Sequence, residues 1–259
     1  METKIYTITD PEKDRDKIVE AAEVMKNGGI VAFPTDTVYA VGASINCEEA
    51  VDRLFEVKQR PKDNPISVLV ARDLDVHLVI DITAPNNQFM SKFVEEFWPG
   101  PLTIVMPRIQ GRVPSNVTGG KLSVGVRQPD DPIARALIDE VGAPVAAPSA
   151  NISGHPSPTT GQHVIDDLNG KVDMILVGPD CKTGTRAGAT GTLLVPGLTG
   201  RVAHELTAEL SARTLTGVSL VGNHELVHQS FVVFAAEHGV RGSGFARFLT
   251  EFIDYIQFH

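Results

Sequence analysis

The chain has 259 residues, a formal net charge of -9, and 42% hydrophobic against 21% charged residues. That balance excludes a disordered or fibrous protein and fits one globular core with a small appendage. No apolar run reaches the roughly 20 residues that span a bilayer, and the polar stretch from Met1 to Lys17 has no apolar signal core, so a cytoplasmic protein is expected.

Apolar and charged residues from Asp14 to Lys26 alternate with helical spacing, and Asn27-Gly28-Gly29 supplies the stop. A buried strand is predicted from Ile30 to Phe33, a break at Pro34-Thr35-Asp36-Thr37, and an extended piece from Val38 to Ala43. Asn46 is placed to cap a helix from Cys47 to Val57 whose first turn carries Glu48 and Glu49, where acids complement the helix dipole. Ile66 to Val70 reads as a strand, Asn86 to Phe97 as a helix stopped by Trp98-Pro99-Gly100-Pro101, and Leu102 to Met106 as a strand. Ser123 to Arg127 alternates polar and apolar residues, and Asp131 caps a helix from Pro132 to Val141 with proline at the first helical position. A short strand of small residues, Ala143 to Ala147, is followed by a helix from Gly161 to Leu168 and strands at Met174 to Val177 and Gly191 to Val195. The alternation predicts an α/β protein with a twisted, mixed sheet and flanking helices over 1–206. From 207 to 259 the pattern becomes mainly helical, with one strand at Val218 to Val221, and reads as a short tail packed on the main domain.

Two loops carry chemistry. Pro61 forbids the helix ending at Lys58 from continuing, so Lys58 and Arg60 are expected to project from a loop, a mobile point charge beside a bidentate fork. Alone, the pair is equally a solvated basic helix end. In Ala147-Pro148-Ser149-Ala150-Asn151-Ile152-Ser153-Gly154, Ser149 and Asn151 alternate with alanine, so an extended backbone points both to one side as neutral donors. An ordinary turn uses the same residues. Together the two loops suggest a nucleotide polyphosphate site. The acidic net charge opposes bulk electrostatic binding of nucleic acid. Lys58, Arg60, Lys62, Arg108, Arg112, Lys121, Arg127 and Arg135 nevertheless fall mid-chain and leave room for a local basic groove. Cys47 and Cys181 cannot form a disulfide framework and sit in no metal-spaced pair.

With Pro34-Thr35-Asp36-Thr37-Val38-Tyr39, Lys58-Gln59-Arg60-Pro61, Asn64-Pro65, Trp98-Pro99-Gly100-Pro101-Leu102-Thr103, Val126-Arg127-Gln128-Pro129 and the Ala147 to Gly154 string in order, the chain resembles the YrdC-like family of threonylcarbamoyl-AMP synthases from about Lys17 to Val202. The resemblance implies condensation of L-threonine, bicarbonate and ATP with release of pyrophosphate, Mg2+ accompanying ATP and no protein-only metal site. It also implies delivery of the adenylate to tRNA threonylcarbamoyl transferase machinery that modifies adenosine 37 of tRNAs, with weak contact to tRNA or double-stranded RNA. By position, Lys58, Arg60, Ser149 and Asn151 match the catalytic residues that hold ATP and its phosphates, Asn64 and Ser123 match further nucleotide contacts, and Thr35, Arg127 and Ala147 match threonine-binding positions. Ala189 stands where the family has a serine, and Val195-Pro196-Gly197 with Arg201 is a loose counterpart of its arginine-proline-glycine, so Arg186 or Arg201 has to substitute or activity falls. The chain is closer to the single-domain members than to the two-domain ones. A catalytically silent RNA binder is the alternative from another class. His224-Glu225-Leu226-Val227-His228 satisfies a zinc-protease pattern, but Gly222-Asn223 puts His224 at the very start of its helix, which favours a solvated helix.

Overall fold

The computed structural model describes residues 1–80, 94, 95, 97–181, 191–194 and 233–234. Its strands are β1 (Lys4–Thr7), β2 (Val31–Phe33), β3 (Ala40–Ser44), β4 (Val68–Leu69), β5 (Leu102–Pro107), β6 (Ser123–Arg127), β7 (Val145–Ala146), β8 (Met174–Val177), β9 (Gly191–Leu194) and β10 (Val233–Phe234). They form one mixed sheet in the order β1-β8-β2-β3-β7-β4-β6-β5-β9-β10. Parallel pairs at β1/β8, β2/β8, β4/β6 and β5/β9 are joined by antiparallel ones at β2/β3, β3/β7, β4/β7, β5/β6 and β9/β10. The helices are α1 (Arg15–Lys26), α2 (Glu48–Lys58), α3 (Ser115–Thr118), α4 (Pro132–Val141) and α5 (Gly161–Leu168).

Side chains on a strand alternate between faces, and the core follows that period. Ala32, Val68 and Ala146 join one apolar cluster with Leu54 and Phe55 of α2 and Val164 and Leu168 of α5. Their neighbours Val31, Phe33, Leu69 and Val145 join the other, with Ile18 and Met25 of α1 and Leu137 and Ile138 of α4. The sheet is therefore covered on both faces, and each fully buried Leu, Ile or Phe contributes about 1.5–3 kcal/mol to that packing. In α1 the buried residues Ile18, Ala21, Ala22 and Met25 fall at the i, i+3, i+4, i+7 spacing of a single helical stripe.

The periodicity-based expectations for β6, α4, α5 and β8 match the observed bounds. Asp131 caps α4 as expected, accepting from the amides of Ile133 at 3.0 Å and Ala134 at 2.9 Å. Other expectations need correction. The cap of α2 is Cys47, without a side-chain bond, because the helix begins one residue later than Asn46 requires. The extended piece expected at Val38 starts only at Ala40, since Thr35 to Tyr39 is held in a hydrogen-bonded loop. The polar amino-terminal stretch contains edge strand β1, whose residues are exposed except for the half-buried Tyr6, so it needs few apolar residues. The helix expected from Asn86 and the strand at Val218 to Val221 lie outside the described residues, as does most of 207–259. Among the described residues no helix is long and apolar enough to cross a membrane.

Candidate active site

The end of α2 and the loop after β7 are built as one unit. Gln59 takes the left-handed conformation at φ 51° and ψ 42°, which turns the chain back so that the Arg60 amide reaches Phe55 O at 2.9 Å. Lys58 is consequently not a projecting loop residue. It is the last residue of α2, it is 1% exposed, and its ammonium donates to the carbonyl oxygens of Ser149 and Asn151. The Ser153 amide returns a bond to Lys58 O at 2.8 Å. Burial is the main reason that the Lys58 pKa falls from 10.5 to about 7; nearby Arg60 lowers it further, while Asp167 opposes the shift. Arg60 is also turned onto the protein, donating through Nε to Asn64 O at 3.2 Å and through Nη2 to Pro65 O at 2.9 Å.

The loop from Ala147 to His155 is tied at every step. Ala147 N donates to Ser67 O at 2.9 Å, Pro148 O accepts from Val41 N at 2.9 Å, and Ala150 N donates to Tyr39 O at 2.8 Å. Strand character ends at Ser149, which bridges Ala40, so the predicted alternation stops before Asn151. Ser149 is half-buried and Asn151 is buried. The two donor hydrogens of the Asn151 amide are spent within the loop, on Ile152 O at 2.9 Å and His155 O at 2.8 Å.

The second half of the site is organised around Arg127 at the end of β6. Matched by resemblance to a threonine-binding position, it is 5% exposed. Nε donates to Gly100 O at 2.9 Å, Nη1 to the Thr37 hydroxyl at 2.9 Å, and Nη2 to the Asp36 carboxylate. The Trp98-Pro99-Gly100-Pro101 turn thus presents the Gly100 carbonyl to the guanidinium. Burial pulls the Arg127 pKa down, and Asp36 opposes that shift. Thr35 is also buried: its hydroxyl donates to Val38 O at 2.6 Å and accepts from Thr37 N at 3.2 Å. Tyr39 anchors this loop to the end of β8, exchanging hydrogen bonds with both backbone groups of Gly178 at 2.9 and 3.0 Å. A side chain at Gly178 would meet Pro34 at 2.8 Å and Ile133 at 2.7 Å, so the close approach needs glycine.

Of the residues expected at the site, Lys58, Ser149 and Asn151 are in direct contact, and Arg60 follows one left-handed turn later. Thr35 and Arg127 meet through Thr37, and the Ala150–Tyr39 bond joins the two halves. Asn64 touches Arg60 through its carbonyl, and Ala147 is buried at the loop's start. Ser123 is buried at the opposite end of β6 from Arg127, about 13 Å along the strand at 3.3 Å per residue. Sequence reasoning missed Asp36, Thr37 and Tyr39; the signal available was an acid inside an apolar strand-turn segment, opposite a strand arginine. The cations proposed for a basic groove are partly spent elsewhere. Lys58 and Arg127 are buried, Lys62 pairs with Asp52 at 3.2 Å, and Arg108 donates to Lys121 O and Val113 O. Burial pushes the Cys181 thiol up to about 12, and among the described residues no group of three His, Cys, Asp or Glu side chains is placed to hold a metal. Arg186, Ala189, Val195-Pro196-Gly197, Arg201, His224, Glu225 and His228 lie outside the described residues.

The profile of the Sua5/YciO/YrdC family, described as telomere recombination, matches residues 23–187. Bacillus subtilis threonylcarbamoyl-AMP synthase is 41% identical over 181 residues, covering 69% of this chain and 51% of that protein. The Pyrococcus abyssi synthase is 43% identical over 171 residues, covering 66% and 49%. The chain thus spans about half the length of these two curated relatives. It matches 84% of the Vibrio vulnificus synthase at 34% identity. Among solved structures, Pyrococcus abyssi Sua5 complexed with L-threonine superposes with a TM-score of 0.68 at 39% identity, over 74% of this chain and 54% of that one. Escherichia coli YciO, 23% identical, shares the fold with a TM-score of 0.63 over 76% and 92%. A profile match over more than half of the residues, and a TM-score of 0.68 to one member, place this chain in the Sua5/YciO/YrdC family.

Proposed function

We propose that this chain is a threonylcarbamoyl-AMP synthase, a nucleotidyltransferase acting on L-threonine, bicarbonate and ATP. The observation that carries the reading is the single unit formed by Lys58, Ser149 and Asn151, bonded through Ala150 to the Thr35 to Tyr39 loop that holds a buried Arg127, in a chain 41% identical to a synthase of that name. The amine of threonine combines with bicarbonate to give a carbamate and water. A carbamate oxygen then attacks the α-phosphorus of ATP, the bond from that phosphorus to the bridging oxygen breaks, and pyrophosphate leaves with the electron pair. No protein nucleophile is required, so the task of the residues is positioning and charge neutralisation.

An ammonium has three donors, and Lys58 spends two on carbonyls. The third is assigned to a phosphate oxygen, with Arg60 and the Ser149 hydroxyl beside it. Arg127 is assigned to the carboxylate of threonine, which makes Thr35 and Ala147 neighbours of the amino acid and Asn64 and Ser123 those of the nucleotide. Cations and hydroxyls suit an anion and do not suit a divalent cation, so Mg2+ is taken to arrive on the phosphates of ATP, where it neutralises charge. The product would pass to the tRNA threonylcarbamoyl transferase machinery, in the cytoplasm where tRNA is handled. Pyrophosphate release from ATP that requires both L-threonine and bicarbonate is the expected result. Release indifferent to threonine, or none with ATP still bound, would favour a silent binder.

A further inference from the structure

The side chain of Asn151 is only half satisfied. The residue is 6% exposed, Nδ2 gives both hydrogens to Ile152 O and His155 O, and Oδ1 is buried with no hydrogen-bond partner among the described residues. Chemistry fixes which atom is which, since exchanging them would press the amide oxygen against two carbonyl oxygens. Buried acceptors are rarely left open, and one left open at a loop beside Lys58 is a place for a ligand atom. Toward that ligand Asn151 is an acceptor alone. Phosphate oxygens of bound ATP are acceptors too, so they cannot satisfy it.

Three kinds of partner remain: a hydroxyl, an amino group or a cation. The backbone carbonyl of this same Asn151 holds the Lys58 ammonium at 2.5 Å, so a divalent ion at Oδ1 would sit against a like charge. Between the phosphates assigned to Lys58 and the base with its amino group lies the sugar. We infer that Asn151 Oδ1 accepts a hydrogen bond from a ribose hydroxyl, so that this loop reads the sugar of the nucleotide rather than its phosphates. The inference rests on the nucleotide reading above.

Calorimetric binding of ATP, 2′-deoxy-ATP, 3′-deoxy-ATP and inosine triphosphate to the full chain and to Asn151→Ala tests it. One neutral hydrogen bond corresponds to a preference of about three- to tenfold. The full chain should bind one of the two deoxy nucleotides that much more weakly than ATP, and in Asn151→Ala the ratio should fall to about one. Loss of the loop anchors alone would weaken all four ligands equally and leave the ratio intact, which would overturn the inference. Equal binding of ATP and both deoxy nucleotides by the unsubstituted chain would overturn it without any variant. So would an unchanged sugar ratio together with either a shifted Mg2+ dependence or a selective loss against inosine triphosphate. Absence of ATP binding altogether removes the nucleotide reading itself, whereas normal ATP binding without sugar discrimination removes this inference alone.

Discussion

Lys58 Nζ lies 2.5 Å from the carbonyl oxygen of Asn151, inside the protein and not at its surface. Its ammonium is therefore a structural fastener between α2 and the loop after β7, as well as a candidate phosphate ligand. Lys58→Ala should lose both roles. Leaving the buried Asn151 carbonyl without a donor costs about 1–3 kcal/mol, with a smaller loss at the part-buried Ser149 carbonyl, and each kcal/mol lowers the melting temperature of a chain this size by about 2–4 °C. Thermal unfolding checks this; a variant as stable as the parent would show that the carbonyls find other donors.

Protons should accompany both folding and nucleotide binding. The Lys58 pKa is 10.5 in its ordinary state and about 7 here. Between those values the unfolded chain holds one proton more than the folded one, so the Lys58 contribution to stability rises with pH across that window. Below pH 7 both states are protonated and the burial penalty is fully present. Phosphate favours the ammonium, so ATP binding near pH 8 should take up a proton, and affinity should fall as pH rises through 7. Calorimetry in buffers of different ionisation enthalpy reads the uptake, and a value of zero at pH 8 would refute the assignment of Lys58 to phosphate.

Arg127 and Asp36 are 6% and 7% exposed in their side chains and form a buried ion pair. Removing one partner strands the other charge, so Arg127→Ala should destabilise the chain by about 3–5 kcal/mol. Pairing Arg127→Met with Asp36→Asn should recover part of that loss. Chemical denaturation of the two single variants and the double variant gives the coupling. If the single losses simply add, the pair is not energetically linked.

Gln59 is the one described non-glycine residue with a positive φ. A left-handed conformation costs a residue with a side chain roughly 1 kcal/mol, so Gln59→Gly should raise stability by up to about that amount. Denaturant midpoints decide it. A clear loss would mean that the Gln59 side chain makes a contact worth more than the strain.

The parts of this fold that sequence made legible were those governed by local rules. Ser123 to Arg127 alternates, and Asp131-Pro132 announces a capped helix, so β6 and α4 could be placed without their partners. Motif spacing found Lys58, Arg60, Ser149 and Asn151, but not which way they face. Pro61 ends a helix convincingly, and it carries no information about the left-handed Gln59 that folds Lys58 inward. Asp36 was overlooked for the same reason: its meaning depends on Arg127, which only the sheet brings near.

The bonds that tie Lys58 and Arg127 to the loops facing them close long stretches of chain. Lys58 reaches partners 91 and 93 positions away, and Arg127 reaches Thr37 and Asp36 across 90 and 91. Such contacts form only after the loop-closure entropy of the intervening chain has been overcome, and they belong to the slow, high-contact-order part of folding. A chain emerging from the ribosome can complete α2 while the acceptors for its terminal lysine are still unmade. During that interval the Lys58 amine is an ordinary solvated ammonium, and the lowering of its pKa waits on the burial that the folded domain provides. The buried setting of this one side chain thus depends on two segments that lie 93 positions apart in the chain.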